Sequence, residues 1–107
     1  KLARVFDNLF RNAVNYSYPN TEITLSMAQA ESEIHLRVEN HGKTIAPDKL
    51  ARIFDQFFRL DNSRASTTGG AGLGLAIARE IVELHGGSIA AESANERIAF
   101  TVRLPMH

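Results

Sequence analysis

Asn8, Asn12 and Asn15 stand at i, i+4 and i+7, a spacing that brings three amides to one side of a helix, with Arg11 and Tyr16 beside them. Amide oxygens are hard donors. Completed by waters and substrate phosphates, they make the style of site that holds Mg2+, although the same stripe also reads as an ordinary solvated face. Gly69-Gly70-Ala71-Gly72-Leu73-Gly74-Leu75 ends a polar stretch and opens an apolar-periodic one. Backbone N–H groups turned outward by glycine, with the positive end of the next helix, would receive a phosphate there; the other reading is a hinge without a ligand. Asn40-His41-Gly42-Lys43-Thr44-Ile45 and Ile53-Phe54-Asp55-Gln56-Phe57-Phe58-Arg59 are the remaining candidates. Asn two residues before Gly is first of all turn chemistry, and the three Phe read as core or a loop anchor. Arg59 could meet a phosphate or simply a surface carboxylate.

Familiar phosphate motifs are excluded by spacing. A P-loop requires Lys-Ser or Lys-Thr after its last glycine, and Leu75-Ala76 follow Gly74. A dinucleotide fingerprint requires glycine where Leu75 stands and an apolar strand before it, whereas polar Ser63 to Thr68 precede it. His35, His41, His85 and His107 show no metal-ligand spacing and follow no Ser-centred nucleophile motif.

The elements that must position these groups follow from periodicity. Leu2, Val5, Phe6, Leu9, Ala13 and Tyr16 predict a helix over 1–17. Alternation at Ile23, Leu25, Met27 and again at Ile34, Leu36, Val38 predicts a hairpin turning at Ala30-Glu31-Ser32. Pro47 opens a short helix over 47–54, and 59–72, without an apolar period, reads as a lid. A helix over 73–85 closes at Gly86-Gly87. Strands at 89–92 and 98–104, separated by Ser93-Ala94-Asn95-Glu96, make a second antiparallel pair. The fold class is α+β, a two-layer sandwich with helices on one face of a mixed, mostly antiparallel sheet.

A chain of 107 residues fits one domain, 1–107, with a modest core. Twelve basic against twelve acidic residues leave no net charge, which excludes a general nucleic-acid binder. With no Cys there is no disulfide, thiolate nucleophile or Cys-ligated zinc. Although 44% of residues are hydrophobic, no run is long enough for a membrane span or signal-peptide core. The first helical pattern starts at Lys1 with no capping residue ahead of it, so a truncated piece of a longer protein is expected.

In this order the segments resemble the ATP-binding catalytic domain of sensor histidine kinases, in the superfamily shared with gyrase and MutL and known for the Bergerat-type ATP-binding fold. Asp7 to Ser17 is similar to its N box, Asn40 to Ile45 to the G1 box, Ile53 to Arg59 to the F box and Gly70 to Leu75 to the G2 box. Leu84-His85-Gly86-Gly87-Ser88-Ile89 and Phe100 to Pro105 resemble the family's C-terminal end. Phe58 to Arg64 with Thr68 to Leu75 most resemble the vancomycin-resistance sensor kinases.

The resemblance implies Mg-ATP as ligand and a histidine as phosphoryl acceptor. Asn12 would bind Mg2+ through its amide oxygen with Asn8 beside it, and Asn15 and Tyr16 would lie near the nucleotide. Asn40 would accept a hydrogen bond from the adenine amine, Gly42 would allow close approach, and Ile45 and Phe57 would line the site. Arg59 would reach the terminal phosphate, while Gly70, Gly72, Leu73, Gly74 and Leu75 would hold the phosphates under a closing lid. The implied partners are the histidine-bearing dimerisation domain of the parent kinase and a response regulator, with no nucleic acid and no membrane contact by this chain. The implied place is cytoplasmic, in a parent sensor anchored in the cell membrane.

Three positions depart from the family pattern, and a fourth separates the chain from the ATP-hydrolysing relatives. Its adenine-reading Asp is Asn40 here, an uncharged and weaker acceptor. The second G1 glycine is Thr44, which must take another backbone path or a strained one, and a basic N-box residue is Asn15. The Glu that ATP-hydrolysing relatives use as general base is Asn8, and an amide takes no proton, so transfer to an external acceptor is favoured over hydrolysis. An anti-sigma-type protein-serine kinase and a non-catalytic module with a degenerate nucleotide site remain as alternatives.

Overall fold

The computed structural model describes residues 2–55 and 74–105. Val5, Leu9 and Ala13 repeat every fourth residue and form the buried seam of α1 (Leu2–Tyr16), with Leu2 and Tyr16 packed against the core at its ends. This helix matches the expected one to within a residue at either end.

Both hairpins run further than their alternation alone indicated. β1 (Ile23–Ala30) pairs with β2 (Glu33–His41) through Glu31-Ser32, and β3 (Ser88–Ala94) pairs with β4 (Arg97–Pro105) through Asn95-Glu96. Asn95 and Glu96 take φ of 54° and 60°, and a two-residue turn of that hand matches the twist of its strands. Ser93 and Ala94, expected in the loop, are therefore strand residues. β2 pairs with β4, giving the order β1-β2-β4-β3. Every pairing among the described residues is antiparallel, so the mixed component expected of the sheet is not among them, while the two-layer α+β arrangement stands.

One sheet face carries Val38, Ile98, Phe100 and Val102, which pack with α1 and α3. The other is polar, and on it Arg37 bridges Glu92 at 3.0 Å and Glu39 at 3.3 Å. β1 is one of the two edge strands of the described sheet, and on it Leu25 and Met27 stand exposed.

Pro47 opens α2 (Pro47–Leu50) as expected, but the helix ends four residues before the expected boundary. Beyond it the backbone tightens, Arg52 N–H bonding Lys49 and Ile53 N–H bonding Leu50 at the i+3 spacing. This seats Ile53 in the core and sets the Phe54 ring edge-on to Phe100, with centroids 6.0 Å apart. α3 (Gly74–Leu84) buries Ala78 and Val82. It stops in a Schellman turn: Gly86, at φ 80°, bonds the Glu83 carbonyl, and Gly87 N–H bonds that of Val82. A Cβ on Gly87 would strike the Arg103 carbonyl, so the end of α3 lies directly on β4.

Candidate functional site

The amide stripe of α1 begins at its contact with α3. Asn8 donates Nδ2–H to the carbonyl of Gly74, the first residue of α3, at 3.1 Å. Asn12 is half-buried one turn on, and Tyr16 follows after another turn, each step about 6 Å along the axis. The stripe thus runs from the start of α3 to a cavity at the C-terminal end of α1. Arg11 faces away from it, paired with Asp7 at 3.2 Å on the exposed side.

That cavity, of about 570 Å3, is lined by Asn15, Tyr16, Ser17, Thr44, Ile45 and Ile98, among others. Gly42 lies buried next to it, and a Cβ there would collide with the Tyr16 carbonyl and stand 3.1 Å from Asn40 Nδ2. Glycine is therefore required by space. Asn40, 1% exposed, pairs across the sheet with Ile98 and leaves Nδ2 without a hydrogen-bond partner among the described residues. Ser17 Oγ is likewise buried and unpaired. Each such group costs about 1–3 kcal/mol, and two of them beside one cavity mark a place where a polar ligand would complete the bonding.

Thr44 shows neither the strain nor the left-handed backbone that a glycine position would impose, since the positive φ values of described non-glycine residues fall at Asn20, Glu31, Asn95 and Glu96. Its hydroxyl instead accepts Glu96 N–H at 2.7 Å. Gly42 N–H reaches the Glu96 carbonyl at 3.0 Å. Ile45, 7% exposed, donates its N–H to Ser93 Oγ at 2.9 Å, and the Ser93 hydroxyl donates to the Arg97 carbonyl at 2.9 Å. Lost hydration raises the Tyr18 phenol above its ordinary pKa, and the charge and hydrogen bond of Glu96 add to that effect. Ser93 and Glu96 were not singled out in the sequence. The available signal was a serine on the inward register of β3, after Ile89 and Ala91.

Over residues 1–107 the chain matches the family described as histidine kinase-, DNA gyrase B-, and HSP90-like ATPase. It belongs to that family. The sensor protein VanSC of Enterococcus gallinarum is 54% identical over 98% of this chain and 29% of its own length, and VanS of Enterococcus faecium 50% identical over 98% and 27%. The chain thus spans less than a third of these relatives. Among solved structures, the catalytic domain of histidine kinase ThkA is similar at TM-score 0.80 and 31% identity, over 95% of this chain and 64% of that one. ShkA in complex with AMPPNP gives the same TM-score at 27% identity, over 95% of this chain and 20% of its own.

In this member of an ATP-binding family the expected site residues fall into two groups. Asn8, Asn12, Asn15, Tyr16, Asn40, Gly42, Ile45 and Gly74 are gathered along α1, at the end of β2 and at the start of α3. Leu75 packs against the core. A Cβ on Gly74 would meet Asn8 at 3.9 Å, an ordinary contact, so space alone does not demand glycine there. Phe57, Arg59, Gly70, Gly72, Leu73 and the expected lid over 59–72 lie outside the described residues. No helix among the described residues is long and apolar enough to cross a membrane.

Proposed function

We propose that this chain binds Mg-ATP and presents the γ-phosphoryl group to a histidine on the dimerisation domain of its parent kinase. The phosphate then passes to an aspartate of a response regulator, in a two-component system that senses glycopeptide antibiotics. The observation that carries the reading is the α1 amide stripe, which runs from the start of α3 to a cavity walled by the Thr44–Ile45 end of the turn, with unpaired Asn40 behind Gly42.

Adenine would enter beside Tyr16 and Ile45, with its amine donating to Asn40 Oδ1, its ring N1 accepting from the otherwise unpaired Asn40 Nδ2, and Gly42 admitting the close approach. The donor set suits a hard cation: Asn12 supplies an amide oxygen on the half-buried face of α1, and waters and phosphate oxygens would complete the shell. Bound there, Mg2+ neutralises phosphate charge. Asn8 holds α1 against α3 through Gly74, and its amide leaves water without a general base at that position. Arg59 and the Gly70 to Gly74 backbone are assigned to the phosphates on the family pattern. Catalysis on this reading is positioning and charge neutralisation.

The deciding experiment supplies a histidine-bearing dimerisation domain in trans with labelled ATP. Acid-labile, alkali-stable label on that domain is expected; acid-stable label on a serine substrate, or no transfer, would overturn the reading.

A further inference from the structure

We propose that the β3–β4 turn is the positioning element for the adenine loop, acting through two hydroxyls, those of Thr44 and Ser93. The inference rests on the nucleotide reading above and deepens it. Both main-chain groups of Glu96, at the tip of a tight turn that would otherwise meet water, are taken by the loop: its carbonyl by Gly42 N–H at 3.0 Å and its N–H by Thr44 Oγ1 at 2.7 Å. Ser93 works from the inside of the sheet, accepting Ile45 N–H and donating to the Arg97 carbonyl, each at 2.9 Å. Three bonds therefore fasten residues 42–45 to residues 93–97, and the Ser93–Arg97 bond holds the serine in place to make one of them.

The consequence is preorganisation. Gly42 has no room for a side chain between Tyr16 and Asn40, so the adenine wall tolerates little displacement of this loop. A glycine at 44 would leave its backbone free to wander. Thr44 instead spends a hydroxyl to fix the path, which removes an ordering cost from binding. That gain offsets the loss of charge at Asn40, whose neutral amide holds the base less strongly than a carboxylate. Thr44 and Ser93 are positioning residues: neither need touch the reacting atoms.

The test is ATP titration of the full chain, with thermal midpoints measured in parallel. Thr44→Val keeps the shape and removes the hydroxyl, and Glu96 N–H, exposed at the turn, can take water in its place. It should weaken ATP binding by about 5-fold while leaving the midpoint nearly unmoved, and Thr44→Ser should restore the affinity. Ser93→Ala, which strands the Ile45 N–H, should weaken binding by roughly 10-fold or more. Unchanged affinity in Thr44→Val and Ser93→Ala with a wild-type chain that binds ATP would overturn this inference alone. So would weakening that Thr44→Ser fails to rescue. A folded wild-type chain that binds no ATP would overturn the nucleotide reading and this one with it.

Discussion

The two ends of the candidate site are built differently. The Gly42–Ile45 turn is fastened by backbone and hydroxyl bonds to a neighbouring turn of the same sheet and has no space for a Cβ at Gly42. The end near Asn12 rests on two helices, tied across their polar side by the Asn8 amide on the Gly74 carbonyl. A base needs a wall of fixed shape, since its recognition is contact and directional hydrogen bonding. A triphosphate and its cation need oxygen donors and charge, which tolerate adjustment through water. On the proposed reading, recognition falls to the sheet side and chemistry to the helix side.

Gly42→Ala should break the contrast most severely. Its Cβ meets the Tyr16 carbonyl, so the turn must shift at a cost of about 1–3 kcal/mol, and ATP binding should fall below detection by titration. Retained binding would show that the wall is not rigid. Asn40→Asp sharpens the recognition side: affinity for ATP should rise by about tenfold as the acceptor becomes charged, while the unliganded chain melts earlier because the buried carboxylate lacks a partner. Unchanged or weaker binding would remove Asn40 from the adenine contact.

Smaller effects probe the helix side. Asn8→Ala loses one interhelical bond, worth about 1 kcal/mol, and should lower the thermal midpoint by about 4–8 °C. A larger drop would mean that this end is as firmly built as the other. Asp7→Asn removes the exposed pair with Arg11 and should change stability by less than about 0.5 kcal/mol, with no effect on ATP.

Much of this was legible beforehand. The seam of Val5, Leu9 and Ala13, the two hairpins and the Gly86 stop follow from local periodicity and turn chemistry, which is why their places agree. The end of α2 is not legible in the sequence because the seating of Ile53 in the core and of Phe54 against Phe100, not a local signal, decides where the backbone tightens. Ser93 and Ala94 carry a loop signal in the sequence because polarity masks an inward strand position. In the sequence Thr44 stands as an intruder in a glycine pattern, and its use is visible only with Glu96 beside it, 52 residues away. Long-range hydrogen bonds leave no periodic trace.

The most direct test of the central claim is calorimetric titration of ATP with and without Mg2+ on this chain and on Asn12→Ala. The account predicts magnesium-dependent binding in the wild-type chain and loss of the magnesium dependence in the variant. Binding that ignores magnesium, or a variant that keeps the full dependence, would contradict the assignment of Asn12 to the cation.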